Sequence, residues 1–98
     1  MTDKRKAYEE KFDAQLKEWR DQIVLYNAKA DKTRGEAKVE YYKTIETLQG
    51  KQDSAKLKLQ QLRAAGDDKW EDLKAGAEKV WADTKNAFER TAEKFERS

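Results

Sequence analysis

Asp31-Lys32-Thr33-Arg34-Gly35-Glu36-Ala37 is the stretch whose reading decides the fold. If the backbone stays helical through Gly35, residues from about 3 to 65 form one helix of ~95 Å at 1.5 Å per residue. If it breaks there, the chain divides into three near-equal helices at about 4–32, 36–65 and 68–97, as in a three-helix bundle. The stretch lacks proline and any Ser/Asn cluster, the usual marks of a loop. A largely apolar seam also crosses it: Tyr8, Phe12, Leu16, Trp19, Ile23 and Tyr26, then Ala30, Thr33 and Ala37, then Tyr41, Ile45, Leu48, Gln52, Ala55, Leu59 and Leu62. The steps are three or four residues, with a mean of about 3.6, which is the period of one helix face. A loop has no reason to keep that phase, so the continuous helix is the preferred reading and the three-helix bundle the alternative. Thr2 or Asp3 is placed to cap its start.

Downstream, Gly66-Asp67-Asp68 is the clearest turn in the chain. Gly66 stands where a glycine in the left-handed region often closes a helix. Asp68 and Glu71 have capping-box spacing, with Asp in place of Ser or Thr. Beyond lies a second seam, Trp70, Leu73, Ala77, Val80 with Trp81, Thr84, Phe88, Thr91 and Phe95. The expected architecture is therefore all-α, one domain over 1–98. A helix at about 3–65, a turn at 66–68 and a helix at about 68–97 form an antiparallel helical hairpin or coiled coil. In it Ala37 would face Phe95, and Tyr41 would face Thr91.

Composition supports helix and excludes much chemistry. Charged residues make up 43% of the 98 residues and hydrophobic ones 37%, with a mean hydropathy of -1.23. Such polarity can signal disorder, but the ten aromatics (3 Trp, 4 Tyr, 3 Phe) and a net charge of only +2 argue against it. There is no Cys, so no disulfide framework and no thiolate chemistry. There is no His, the commonest general base and metal ligand. Adjacent carboxylates such as Glu9-Glu10 and Asp67-Asp68 point about 100° apart on a helix and do not converge. No catalytic, cofactor-binding or metal-binding residues are expected, and no enzyme activity. Lys4-Arg5-Lys6 is the densest basic stretch; acidic residues interrupt the remaining basic ones, so nucleic acid is not an expected partner. No apolar segment follows those N-terminal basic residues, so no signal peptide is expected, and the protein is expected in the cytoplasm.

The aromatics suggest two surfaces. In a hairpin the stripe Tyr8, Phe12, Leu16, Trp19, Ile23 and Tyr26 has no intrachain partner and would expose more apolar area than a soluble monomer usually carries. Self-association through it is expected, a dimer being the simplest form. Trp70, Trp81, Phe88 and Phe95, flanked by Lys69, Lys74, Lys85 and Lys94, form either a helix-packing face or an interfacial anchor for a membrane or partner.

The stretches Ala-Tyr-Glu-Glu-Lys (7–11), Ala-Gln-Leu-Lys-Glu-Trp (14–19), Ala-Lys-Val-Glu-Tyr-Tyr-Lys (37–43) and Trp-Glu-Asp-Leu-Lys-Ala-Gly (70–76) resemble, in that order, a family of small bacterial coiled-coil proteins linked to stress responses in cyanobacteria and proteobacteria. The resemblance spans nearly the whole chain. It implies a soluble, all-helical, stress-associated protein with no catalytic residues to carry over. The expected function is a non-catalytic, self-associating interaction or protective module. The alternative is a peripheral membrane protein whose last helix lies on the bilayer.

Overall fold

The computed structural model describes residues 2–97, with side chains described from 4 to 95. The proposed Thr2 or Asp3 side-chain cap lies outside those residues. Three helices, α1 (Thr2–Asp31), α2 (Glu36–Ala64) and α3 (Asp67–Arg97), run up, down and up in a bundle 52 × 18 × 17 Å across. No strand occurs among the described residues. No described helix is long and apolar enough to cross a membrane.

The expected continuous helix is broken at 32–35. Gly35 adopts φ 73°, ψ -148°, a region essentially reserved for glycine. It is the only positive-φ residue among those described. α1 tightens as it ends: Lys32 N–H donates to Lys29 O and Thr33 N–H to Ala30 O, while the Thr33 hydroxyl takes up Lys29 O at 2.9 Å. The seam's phase is lost at the break, for Ala30 is buried and Ala37 exposed. The even spacing through Thr33 and Ala37 joins two separate stripes. Across the turn, the Tyr42 hydroxyl donates to Asp31 Oδ1.

The physical reason lies in burial. A continuous helix would strand the apolar stripe of α1 in water. Folding back places Phe12, Leu16, Trp19 and Ile23 in one core with Tyr41, Ile45, Leu48, Leu59, Leu62, Trp70, Phe88 and Phe95. Full burial of each large side chain stabilises by about 1.5–3 kcal/mol. Four of them outweigh the helical hydrogen bonds lost at one turn, each worth about 1 kcal/mol net. This also removes the premise of the expected dimer: the stripe has its partners within the chain.

The antiparallel α2–α3 pair is present, in a shifted register. Tyr41, not Ala37, packs on Phe95, with ring centroids 4.2 Å apart. Lys51–Asp83 and Lys94–Glu40, both at 2.8 Å, cross the pair. The two buried polar residues of α3, Thr84 and Thr91, donate to the carbonyls four residues back, Val80 O (2.8 Å) and Ala87 O (2.9 Å), so their hydroxyls enter the core satisfied. On the other side, Gln52 Nε2 donates to Leu16 O and ties α2 to α1.

The α2–α3 turn departs from expectation in two details. Gly66 is not left-handed; Ala65, in extended conformation, closes α2. The carbonyls that a left-handed glycine would help to satisfy are taken by Arg5, as described below. α3 begins at Asp67, so Asp68 lies inside the first turn and is not its cap. The Gly66 carbonyl instead accepts from Lys69 N–H and Trp70 N–H, both at 3.0 Å. Asp67 and Asp68 then place negative charge at the positive end of the helix.

Gly50 and Gly76 sit within α2 and α3 with open space where a Cβ would project. Neither has a positive φ. Gly50→Ala and Gly76→Ala are each expected to raise the unfolding free energy by about 0.5–1 kcal/mol, the helical cost of glycine relative to alanine. Urea unfolding checks this; a loss of stability would mean that these helices need glycine locally.

Candidate functional site

The backbones of α1 and α2, and of α2 and α3, approach closely, whereas α1 and α3 meet chiefly through side chains. Those side chains are rings. Trp19 stacks on Phe88 with centroids 5.3 Å apart and planes 12° from parallel. Phe12 meets Trp81 edge-on at 4.6 Å, Tyr8 meets Trp70 edge-on at 5.6 Å, and Tyr26 meets Phe95 edge-on at 4.7 Å. Both geometries suit the aromatic quadrupole and add about 0.5–1.5 kcal/mol per pair beyond the area buried. Parallel α1 and α3 are thus joined by an aromatic ladder from the Tyr8 end to the Tyr26 end.

The two sets of aromatics that appear in the sequence as separate surfaces are two sides of this one interface. Phe12, Leu16, Trp19 and Ile23 are buried, and Tyr8 and Tyr26 are half-buried against the core. Opposite them Trp70, Phe88 and Phe95 are buried and Trp81 half-buried. The α3 face suited to a membrane surface is therefore occupied by α1 in the folded bundle.

Along the outer edge of the ladder runs a groove in two parts. One, of about 310 Å³, is lined by Tyr8, Lys11, Glu78, Trp81, Ala82 and Lys85. The other, of about 190 Å³, continues from Lys85 past Gln15, Glu18, Trp19, Phe88 and Glu89 to Gln22 and Ala92. Lys74 Nζ lies over the Tyr8 ring at 5.1 Å and the Trp70 ring at 5.6 Å, a cation held on two ring faces. The Tyr8 hydroxyl is buried with no hydrogen-bond partner among the described residues. Burial pushes its pKa up to about 12, the Glu78 carboxylate adding to the effect. The unfolded chain releases that proton near pH 10. The neutral phenol's contribution to stability is therefore full below pH 10 and is lost as pH rises from about 10 through about 12.

At the Tyr8 end of the bundle Arg5 forms a clasp. Its Nη2 donates to Leu62 O (2.9 Å), Arg63 O (3.3 Å) and Ala65 O (2.7 Å), the unpaired carbonyls at the end of α2. Nη1 reaches Asp67 at 2.8 Å and Nε reaches Glu9 at 3.0 Å. Glu9 Oε2 in turn accepts from Trp70 Nε1 at 3.0 Å. One guanidinium thus ties the first turn of α1 to the end of α2 and the start of α3. The Glu9 hydrogen bond, then that of Asp67, raise its pKa further against desolvation, so it stays charged. The sequence does hold a signal for this. Stepping the α1 seam three residues back from Tyr8 lands on Arg5, which within Lys4-Arg5-Lys6 reads only as part of a basic run. Arg5→Ala is expected to lower the melting temperature by several degrees. Arg5→Lys should not restore it, because an ammonium lacks the planar fork that spans these acceptors. Full recovery in the lysine variant would reduce the clasp to a matter of charge.

Comparison with family models, with curated proteins and with solved structures finds no match to this chain. The functional reading therefore stands on the site itself.

Proposed function

We propose that this chain is a non-catalytic helical interaction and protective module, cytoplasmic and stress-associated, whose working face is the α1–α3 aromatic interface. The observation that carries the reading is that this interface is joined through side chains, while α2 holds closely to both neighbours. Separating α1 from α3 costs the ring contacts, the Arg5–Asp67 and Trp70–Glu9 links and the donation from Lys29 Nζ to Phe95 O, but no hydrogen bond between two backbones. It presents two amphipathic stripes, Phe12–Trp19 on one side and Trp81–Phe88 on the other, to exposed apolar surface on a client. The dense charge on the outer faces keeps such a complex in solution. The closed bundle has spent those stripes on itself, so it is expected to sediment at equilibrium as an 11.5 kDa species at micromolar concentration. A dimer there would mean that another surface mediates pairing.

The functional test uses the chain's lack of cysteine. Gln22→Cys together with Ala92→Cys places one thiol on each side of the groove, and a short bismaleimide then joins α1 to α3. The uncross-linked double variant is expected to suppress heat-induced aggregation of a model enzyme such as citrate synthase. The cross-linked form is expected to lose that activity. Equal protection by the two forms would reject opening of this interface as the mechanism.

A further inference from the structure

The groove beside the aromatic ladder has an arrangement of groups that the core does not use. At its wider end the buried Tyr8 hydroxyl has no acceptor among the described residues, and an unsatisfied buried donor is a cost to folding. Lys11 and Lys85 line the same cavity. Both are exposed, and neither has a carboxylate within ion-pair distance among the described residues. The acid beside them, Glu78, faces Lys74 at 3.8 Å. Two cations without a carboxylate partner therefore line one space with Glu78, next to the half-buried face of Trp81, and the closed-off Tyr8 hydroxyl lies at its wall. From there the groove continues along the edges of Trp19 and Phe88 toward Gln22, with Glu18 and Glu89 at the far part. From Tyr8 to Gln22 the path follows α1 for ~21 Å. It offers an aromatic floor of Trp81, Trp19 and Phe88, with the cations toward one end and amides and carboxylates along the other.

We propose that the α1–α3 groove binds one single-chain anionic amphiphile, a long-chain carboxylate, with its head group at Tyr8, Lys11 and Lys85 and its chain along Trp81 and the Trp19–Phe88 edge. This rests on the reading of α1–α3 as the working face, but requires the groove of the closed bundle, not its opening. The charge pattern sets the direction: at the wider part Lys11 and Lys85 outnumber Glu78 and draw the carboxylate, while Glu18 and Glu89 repel it at the other end. The lysines then acquire a partner without giving up existing pairs, and the Tyr8 hydroxyl, closed off from solvent in the unliganded bundle, acquires an acceptor once its ring tilts toward the head group. A single chain fits a furrow between two helices, whereas a bilayer surface would require the aromatic face of α3 to be turned outward.

Laurate below its micelle concentration is the probe, added to the intact protein and followed by calorimetry. Brominated laurate reports proximity through quenching of tryptophan fluorescence. One saturable site per chain is expected. Lys11→Gln with Lys85→Gln should weaken it about tenfold, the loss of two charge-assisted contacts. Both side chains are exposed and without ion pairs, so the variant should fold as the parent does. Tyr8→Phe should weaken binding severalfold while leaving the melting temperature unchanged or higher, because the buried hydroxyl has no partner to lose. Dodecyltrimethylammonium, with the same chain and opposite charge, should bind much more weakly. Equal binding of that cation, undiminished binding by the double lysine variant, or cooperative uptake of many molecules would each overturn the proposal. So would quenching by brominated phosphatidylglycerol vesicles in the absence of laurate binding, which would put the partner at a membrane surface. Failure here with a positive cross-link result would leave the protective reading intact; success here with a negative one would leave a ligand site on a bundle that does not open.

Discussion

Gly35→Ala is expected to destabilise the bundle by about 1–3 kcal/mol, the cost of placing a side chain in a backbone region that only glycine occupies readily. No atom lies within 4 Å of the added Cβ, so the penalty is conformational and not a collision. Relief is available in one direction. Residues before and after the break are strong helix formers, and alanine at 35 lets α1 and α2 merge. Merging pulls the α1 stripe away from α3 and exposes Phe12 and Trp19, which a second copy can cover by exchanging α1. Gly35→Ala is therefore expected to produce a domain-swapped dimer beside a weakened monomer. Urea unfolding measures the first effect and sedimentation equilibrium the second. Gly50→Ala is the internal control, since the same substitution inside α2 should shift stability the other way. Unchanged stability in Gly35→Ala would show that the turn does not depend on that backbone conformation.

Phe12→Ala is expected to cost about 3–5 kcal/mol, the range for removing a fully buried aromatic. Phe12 has no exposed surface and meets Trp81 at 4.6 Å, so the cavity would open at the centre of the aromatic ladder. For a domain whose total stability is about 5–15 kcal/mol, that loss is large. It should appear as a lower unfolding midpoint in urea that does not vary with protein concentration. Were the stripe an interface between copies, the same substitution would leave the monomer's stability nearly intact and make unfolding less concentration-dependent. A cost below about 1 kcal/mol, within the spread of surface substitutions, would rule out the intrachain core described for α1.

Several features were legible residue by residue. The 3.6-residue period identified helices wherever it ran, and Gly66-Asp67-Asp68 marked the second turn. The stripes of α1 and α3 contained the residues that line the candidate site. Gly35 was not legible in the same way. Gly35, Gly50 and Gly76 carry similar local costs and stand among similar charged helix formers, yet only one of them breaks a helix. Arg5 was hidden too, because its acceptors, the carbonyls at the end of α2, lie 57 to 60 residues away along the chain.

Local physics thus determined what this protein is made of: helix formers without proline, apolar faces at helical spacing, and no cysteine or histidine. Tertiary structure alone decided which faces meet. The break at Gly35 is favoured because the aromatic stripe of α3 is within reach to bury that of α1, and the burial exceeds the cost of the turn. The same choice made one groove between α1 and α3 out of two stripes separate in sequence, left the Tyr8 hydroxyl buried without an acceptor, and placed Arg5 over the end of α2. Each depends on groups far apart in the chain, whose pairing no local pattern encodes.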